Sequence, residues 1–355
     1  MKFDILSEYC FVNMGQSPAS ETYNNNADGL PFYQGNADFG EIHPQTRIWC
    51  SAPVKIANKG DLLISVRAPI GALNIATEQC CIGRGLAALT PKLDKCRIKY
   101  IYFAIQSQIN FLIANGTGST FKAVNKNTLE NLLIPVSSLN KQDEIVNIFE
   151  KLNNIINKRK EQLLLMDNAV KSRFIEMFGD VVINSKNWEQ ATLKNVAIGK
   201  LTYGSGASAI NFNGKIRYIR ITDISNDGEL NDDIKSPSIC DNKYLLNDGD
   251  ILFARSGATV GKTFCFNKKR YGEAIYAGYL IRMIPDKKRV LPIYVFYYTK
   301  TDYYMSFISK AQKAVAQPNI NAQEYGDLKI CVPPIELQQR FVDFVKQTDK
   351  SKFDN

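Results

Sequence analysis

The sequence contains a single histidine, His43, and its eight cysteines include no CxxC pair. Zinc sites are built from closely spaced cysteine and histidine ligands, so this composition excludes a zinc-ligand pattern. The N-terminal segment lacks the basic-then-apolar order of a signal peptide, and the scattered cysteines are therefore predicted to be reduced thiols of a cytoplasmic protein, most of them core residues. They are Cys10, Cys50, Cys80, Cys81, Cys96, Cys240, Cys265 and Cys331.

Long apolar runs and catalytic motifs are also missing. No apolar run reaches the roughly 18 residues that a membrane span needs. There is neither a G-x-S-x-G elbow to pair with His43 nor a G-x-G-x-x-G fingerprint. Residues 256–263 (SGATVGKT) nearly fit the phosphate-binding pattern GxxxxGK[ST], but Ser256 stands where its first glycine is required, and the next residues predict strand and turn rather than helix. We therefore expect no catalytic chemistry.

Several segments occur twice in the same order. GDLLISVRAPIG (60–71) returns as GDILFARSGATVG (249–261), and LLIPV (132–136) returns as LKICV (328–332), at offsets of 189 and 196 residues. Aromatic-rich stretches with helical spacing, residues 98–114 and 293–309, lie between these segments in each copy. Solenoid units run to roughly 20–50 residues, so this period is that of a whole domain plus a connector. A chain of 355 residues can form two domains, each with its own core.

Within each copy the pattern predicts mixed helix and strand. LLISV (62–66) and ILFA (251–254) are predicted strands that follow Gly-Asp turns. Residues 217–224 alternate with period two and also predict a strand, and residues 31–39 occupy the same place in the first copy. Polar loops rich in glycine and asparagine precede them at residues 14–29 and 202–214. Such loops are either recognition loops or plain surface connections.

Residues 140–178 contain no glycine or proline, and Gly179 is a predicted C-cap, so one long helix of about 58 Å connects the copies. Alternating steps of four and three residues, mostly apolar, are typical of a coiled-coil seam that needs a long partner, either in this chain or in another protein. The seam comprises Ile145, Phe149, Leu152, Ile156, Arg159, Leu163, Met166, Val170, Arg173 and Met177.

The net charge of +9 is concentrated in residues 255–300, where ten basic side chains face only Glu273 and Asp286. A local excess of this size predicts phosphate binding, and a solvated surface that favours solubility is the alternative.

Two similar domains, a long connecting helix and a second helix after the second domain resemble the specificity subunit of type I restriction-modification enzymes. The resemblance covers nearly the whole chain. It implies a mixed α/β (α+β) fold with target recognition domains at residues 1–139 and 180–334, a helical spacer at 140–179 and a second helical region at 335–355. The similar segments are MGQSPAS, GLPFYQGNADFG, GDLLISVRAPIG, CIGRGLAAL, VKSRFIEMFGD, RYIRITDI and GDILFARSGATVGKT.

The resemblance implies a non-catalytic, cytoplasmic subunit that binds a bipartite DNA target for phage defence, one domain per half-site, with the helices fixing the gap. Two modification subunits would bring S-adenosylmethionine, and two motor subunits would bring ATP and Mg²⁺, whereas this chain would bind no cofactor. A basic coiled-coil dimer that coats DNA without sequence preference and a nucleotide-driven enzyme are the competing classes.

The second helical region is expected to be short, with Phe341 and Val345 in its seam. The distal seam of the first helix, residues 163–177, would then lack a partner within the chain. The alternative hypothesis is therefore a truncated or recombined allele that acts only as a DNA-binding, self-associating protein.

Candidate DNA contacts are basic residues beside turn or strand-end signals and polar residues of the Gly- and Asn-rich loops. If Arg255 contacts a base, Arg255→Ala is expected to weaken binding by about 1–3 kcal/mol; a salt bridge or a plain surface charge is the alternative for each basic residue. The basic candidates are Arg67, Arg84, Lys122, Arg220, Arg255, Lys262 and Arg282, and the polar ones are Gln16, Ser17, Gln34, Tyr203 and Ser205.

Overall fold

The structure is a computed structural model that describes residues 2–116, 122–314 and 318–353. It forms two compact units, unit 1 (Met1–Lys158) and unit 2 (Arg159–Asn355). The described helices are α1 (Ile98–Gln106), α2 (Ile109–Ala114), α3 (Lys126–Glu130), α4 (Leu139–Phe178), α5 (Lys268–Tyr271), α6 (Pro292–Tyr298), α7 (Asp302–Ala314), α8 (Ala322–Gly326) and α9 (Ile335–Phe353).

Strands lie in both units. Those of unit 1 are β1 (Lys2–Ile5), β2 (Cys10–Met14), β3 (Tyr23–Asn24), β4 (Leu30–Tyr33), β5 (Trp49–Cys50), β6 (Ile56–Ala57), β7 (Leu62–Ser65), β8 (Leu73–Ile75), β9 (Cys80–Ile82), β10 (Leu86–Pro91) and β11 (Leu133–Val136). Those of unit 2 are β12 (Glu189–Thr192), β13 (Thr202–Tyr203), β14 (Ala209–Asn211), β15 (Arg217–Ile219), β16 (Lys235–Pro237), β17 (Ile251–Ala254), β18 (Thr263–Cys265), β19 (Ala274–Tyr276), β20 (Leu280–Met283) and β21 (Lys329–Val332).

The two units repeat one sheet topology. Unit 1 has an antiparallel sheet of order β2-β10-β7-β8, and unit 2 has one of order β13-β20-β17-β18. A parallel pair accompanies each sheet, β4 with β9 and β15 with β19, and an antiparallel pair joins the first strand of each unit to its last, β1 with β11 and β12 with β21. The duplication predicted from the sequence is therefore a duplication of a whole mixed α/β scaffold.

The repeated Gly-Asp dipeptide forms the same turn in both units. Gly60 (φ +90°) and Gly249 (φ +92°) adopt a left-handed conformation that a side chain would strain. The aspartate that follows is buried and caps the turn: Asp61 accepts the Asn58 amide at 2.8 Å, and Asp250 accepts the Asn247 amide at 2.7 Å. Burial raises the pKa of both carboxyl groups. The turn delivers the chain into β7 and β17, the buried inner strands of the two sheets.

The strands predicted at residues 31–39 and 217–224 are shorter than expected. β4 ends at Tyr33 and β15 ends at Ile219. Immediately after each, an aspartate accepts backbone amides, with Asp38 bound to Gln34 N (2.7 Å) and Asp223 bound to Arg220 N (2.9 Å). The alternation of apolar and polar residues continues past the ends of β4 and β15. It could not predict these ends, because each strand is ended by an aspartate side chain that accepts backbone amides and turns the chain.

α4 runs over Leu139–Phe178, one residue longer than predicted, and ends at Gly179, whose φ is +76° and whose amide donates to the Ile175 carbonyl at 2.7 Å. The C-cap prediction is confirmed. The division between the units falls inside α4, so its first part belongs to unit 1 and its last part to unit 2.

Each unit anchors the start of a helix with a buried glutamine. In α4, Gln142 accepts the Arg97 amide at 2.8 Å and donates to the Lys95 and Ser137 carbonyls. In α9, Gln338 accepts the Leu291 amide at 2.8 Å and donates to the Arg289 and Pro333 carbonyls. A glutamine in the first turn is thus a feature that both units share. In unit 1 it bonds α4 to the segment before α1, and in unit 2 it bonds α9 to the segment before α6.

The end of the α4 seam differs from the prediction. Phe174 and Phe178, both 2% exposed, are its anchors together with Val170, and Met177 lies at the edge of the cluster. The two phenylalanine rings pack against Tyr294 of α6 and Phe341 of α9, with ring centroids 4.8–5.5 Å apart. The expectation that residues 163–177 lack a partner within the chain is therefore wrong for the last turns. Val345 of α9 joins the same core, as its predicted seam position requires.

The middle of α4 is apolar and exposed. Ile145 packs on the core of unit 1 and Phe149 stacks on Phe103 at 4.8 Å. Seven apolar side chains of this stretch stay 43–64% exposed, Phe149 among them despite its stacking: Ile148, Phe149, Leu152, Ile155 and Ile156 in unit 1, and Leu164 and Leu165 in unit 2. The predicted seam residues Leu163 and Met166 are half-buried.

Candidate nucleic-acid interface

A surface pocket of about 220 Å³ in unit 1 brings together four of the predicted DNA-contacting residues. It has two guanidinium groups, amide and hydroxyl side chains and no carboxylate in its wall. Its lining residues are Ser17, Gln34, Gly35, Asn36, Ser65, Arg67, Ala68, Arg84 and Gly85.

Backbone hydrogen bonds between three segments position the pocket wall. The Val66 amide donates to the Gly85 carbonyl at 2.9 Å, and the Val124 amide donates to the Val66 carbonyl at 2.8 Å. Arg67 and Arg84 are therefore held on adjacent loops at the end of the sheet. A side chain at Gly85 would place its Cβ 2.2 Å from the Gln34 carbonyl oxygen, so glycine is needed for these loops to approach. The Arg84 amide also donates to the Ser17 hydroxyl at 3.3 Å.

Arg67 and Arg84 are both exposed, and among the described residues neither guanidinium group forms an ion pair. Arg84 also influences Tyr23: burial raises the pKa of this tyrosine, and the nearby positive charge opposes that shift. Unpaired guanidinium groups without carboxylate neighbours favour an acceptor-rich or anionic ligand.

The other two unit 1 candidates lie next to the pocket. Lys122 is exposed and precedes Ala123, which forms a bridge with Arg67. Gln16 is exposed, and its backbone N–H donates to the Ile82 carbonyl at 3.0 Å. Neither side chain lines the pocket, so both flank it.

In unit 2 the equivalent surface brings Tyr203 and Arg255 together. The Arg255 guanidinium lies 4.7 Å from the centre of the Tyr203 ring and donates from Nε to the Asn319 side chain at 3.2 Å. The Tyr203 hydroxyl accepts the Ala322 amide at 3.0 Å. This cation–π pair is held in place from both sides, so it presents a fixed polar edge.

Ser205 has a structural role. It is 6% exposed, its hydroxyl accepts the Ala207 amide at 3.1 Å, and its carbonyl accepts the Tyr218 hydroxyl at 2.9 Å.

Three predicted contacts in unit 2 are committed to internal bonds. Arg282 is 7% exposed and paired with buried Asp250 at 2.6 Å, so it is not available to an external ligand. Arg220 binds Asp223 and Asp233, and the Lys262 ammonium donates to the Ile224 carbonyl at 2.9 Å. The sequence could not predict these bonds, because the partners, apart from Asp223, are distant in the chain from the basic residue that they bind.

The basic excess of residues 255–300 is also reduced by carboxylates from elsewhere in the chain. Besides the pair of Arg282 with Asp250, ion pairs join Arg270 to Glu229 and Arg289 to Glu189, and Lys268 pairs with Glu273 within residues 255–300. Residues 255–300 therefore do not form a free basic surface as large as their sequence predicts.

Equivalent positions of the two units carry different side chains. The hydrogen bonds of Val66 to Gly85 and Val124 recur as those of Arg255 to Tyr279 (3.1 Å) and Ile320 (2.8 Å). By this register, Ser256 takes the place of Arg67, Gly278 the place of Arg84 and Arg220 the place of Gln34. Tyr279, 62% exposed, takes the place of Gly85. It was missed from the sequence, although aligning CCIGRGL with AIYAGYL would have found it.

The near P-loop segment is not a phosphate cradle. After a short 3-10 turn at Gly257–Thr259, the chain continues into β18 rather than into a helix, as predicted. Within the described residues there is no group of three metal-ligating side chains and no helix long and apolar enough to cross a membrane.

The chain is similar to known specificity subunits. It is 40% identical over 159 residues to a protein of Methanocaldococcus jannaschii that is provisionally assigned as the type I restriction enzyme MjaX specificity subunit. This match covers 44% of this chain and 37% of that protein. It is 20% identical over 381 residues to the type I restriction enzyme EcoBI specificity subunit of Escherichia coli, which covers 95% of this chain and 76% of that protein. The chain thus spans well under half of the first relative and about three quarters of the second.

The fold agrees with these similarities. The crystal structure of a type I restriction-modification system S subunit from M. genitalium superposes with a TM-score of 0.55 at 16% identity, over 99% of this chain and 90% of that one. The model of the type I restriction modification DNA specificity domain matches twice, at residues 5–165 and 185–355. The chain therefore belongs to the family of type I restriction-modification specificity proteins, with two specificity domains.

Proposed function

We propose that the chain is the DNA sequence-specificity subunit of a type I restriction-modification complex. Unit 1 and unit 2 would each recognise one half of a bipartite DNA target, and the chain itself would carry no catalytic step. The observation that carries this proposal is the duplicated scaffold with different side chains at equivalent loop positions. A protein that coats DNA without sequence preference has no use for two differently equipped copies of one site.

The chemistry of both surfaces suits DNA. Guanidinium, amide and hydroxyl groups are the side chains that contact base edges and phosphates. Unit 1 offers Arg67, Arg84 and Gln34, and unit 2 offers the fixed Arg255–Tyr203 pair. Phosphate contacts would position each unit, and contacts to base edges would supply the sequence preference.

The exposed apolar stripe of α4 supports docking of other subunits. Apolar side chains that remain half exposed along a helix mark an interaction surface. We assign this stripe to the modification subunits, which would bring S-adenosylmethionine, and the motor subunits would bring ATP and Mg²⁺. The assembled complex would act in the cytoplasm.

A single-molecule methylation map tests the proposal. DNA from cells that express this chain with a modification subunit would be compared with DNA from cells that lack only this chain. We expect a gapped two-part motif with methyladenine on both strands that depends on the chain. A map with no chain-dependent motif would overturn the proposal.

A further inference from the structure

Unit 1 and unit 2 differ in the number of guanidinium groups at their equivalent sites that form no ion pair with the described residues. Unit 1 has two, Arg67 and Arg84, in one pocket without a carboxylate in its wall. In unit 2 the corresponding positions are Ser256 and Gly278, and the nearby Arg220 is neutralised by two aspartates. The same scaffold thus carries two guanidinium groups in unit 1, each able to donate two parallel hydrogen bonds, and no guanidinium group at the two equivalent positions in unit 2.

A guanidinium fork matches one base edge best. In the major groove guanine presents two adjacent acceptors, O6 and N7, and a bidentate arginine contact to them is the commonest specific contact. Adenine presents one acceptor and one donor there, so an arginine fork cannot pair with both. The pocket also contains Gln34 and Asn36, and amide side chains of this type bind adenine through N6 and N7, so they suit a base next to the guanine.

We propose that Arg67 and Arg84 are the specificity-determining residues of unit 1 and make its half-site depend on guanine. This inference rests on the proposed function. The two guanidinium groups bind the acceptor edge of guanine, while Gln34 borders the same base step. The half-site of unit 2 lacks this requirement at the equivalent positions, because its surface offers Tyr279 and the Arg255–Tyr203 pair instead.

Phosphate binding is the competing role for these arginines, and geometry argues against it. A guanidinium group can also bind a phosphate through two parallel hydrogen bonds, so charge alone does not distinguish the two roles. Here both arginines extend from loops that are joined by backbone hydrogen bonds, and both line one recessed pocket with two amide side chains. Such placement orients the donors, which a bond to a base edge requires.

The test is selection of bound duplexes from a DNA library with two randomised windows, using the full-length chain. Its variants are Arg67→Ala, Arg84→Ala and the two Arg→Lys changes, which keep the charge but remove the planar fork. Lys59→Ala, an exposed cation outside the pocket, and Tyr279→Ala in unit 2 are the controls.

We expect each Arg→Ala change to reduce the preference for guanine at one position of one half-site by roughly 5- to 150-fold. The Arg→Lys variants lose this preference while keeping more of the overall affinity. Lys59→Ala leaves the motif unchanged, and Tyr279→Ala leaves the guanine-containing half-site unchanged.

Three results would overturn the inference while leaving the proposed function intact: a wild-type motif without guanine in the half-site of unit 1, Arg→Ala variants with the wild-type motif, or Arg→Lys variants with wild-type motif and affinity. The last result would assign the arginines to phosphates. If the wild-type chain enriches no two-part motif, the proposed function fails as well.

Discussion

At the residue scale, buried polar side chains hold each unit together where its helices begin. Gln338 is fully buried and satisfies one amide and two carbonyl groups of the α6 and α9 starts. A buried backbone group left without a partner costs about 1–3 kcal/mol. This glutamine is therefore a structural residue, although a polar side chain in a DNA-binding family invites a functional interpretation.

Gln338→Ala is expected to lower the free energy of unfolding of unit 2 by about 3 kcal/mol. The matched control is Gln339→Ala, because Gln339 is exposed and its side chain donates to Asp343 on the same helix. Urea unfolding followed by the fluorescence of Trp188, in a Trp49→Phe background, reports on unit 2. Equal midpoints for the two variants would refute the role of Gln338.

Lys300 carries a charge where water is restricted. Its ammonium group donates to the Asn226 carbonyl at 3.1 Å and lies 4.7 Å from the centre of the Phe296 ring, and burial lowers its pKa to about 8. Below pH 8 the folded and unfolded chains are both protonated, and the folded state bears the cost of the partly buried charge. Between about pH 8 and the ordinary value of 10.5 only the unfolded chain holds the proton, so this group makes stability rise with pH.

Lys300→Met is accordingly expected to stabilise unit 2 at pH 7 by on the order of 1 kcal/mol, less than the full shift because the side chain is partly solvated. The gain should shrink as the pH rises above 8. Urea unfolding at pH 7 and pH 9.5 measures it. Lys287→Met, which also removes a lysine bonded to a carbonyl, is the control. A gain that does not change with pH would contradict the interpretation.

At the element scale, α4 serves two cores and leaves its middle uncovered. Gln142 and Val146 tie its start to unit 1, and Phe174 and Phe178 tie its end to unit 2. The half-exposed apolar side chains between these anchors contribute little to either core. Apolar side chains along an exposed helix face have a physical use if another surface covers them.

Ile155→Glu is expected to leave the stability of the free chain nearly unchanged, because Ile155 is 64% exposed and glutamate is a good helix former. It should weaken association with the modification subunit at least tenfold, since a charge would be buried in the interface. Asn154→Glu, on a neighbouring exposed position, is the matched control. Titration of the modification subunit by calorimetry measures both. Unchanged affinity for Ile155→Glu would place the docking surface elsewhere.

At the scale of the whole molecule, two units with one scaffold should recognise DNA independently. Arg255 belongs to unit 2 and contacts Tyr203 and Asn319 of the same unit. Arg255→Ala is therefore expected to cost about 1–3 kcal/mol of DNA binding and to change the preference in one half-site only.

Selection from the randomised library described for unit 1 measures both effects. Combined with Arg84→Ala, the Arg255→Ala change should add to within about 0.5 kcal/mol. A change in both half-sites from Arg255→Ala alone would contradict independent recognition.

Sequence patterns were sufficient to predict the duplication, the strands that follow the Gly-Asp turns, the aromatic helices and the ends of the long helix. These features are local. A glycine that adopts a left-handed conformation, an apolar period of 3.5 residues and a stretch without proline each favour one backbone conformation, whatever the rest of the chain contacts. The same locality explains why Ser17, Gln34, Arg67 and Arg84, all beside loop or strand-end signals, were found together in one pocket.

Which cations are free and which half of the seam is covered depends on contacts between distant parts of the chain. Arg282 pairs with Asp250, and Arg220 pairs with Asp223 and Asp233, whereas Arg67 forms no ion pair with the residues that the structure describes. Likewise Phe174 and Phe178 find Tyr294 and Phe341 more than a hundred residues away. Ion pairs and core contacts join groups that are distant in the chain, and the free energy of each charge or ring depends on what surrounds it, which no local pattern encodes.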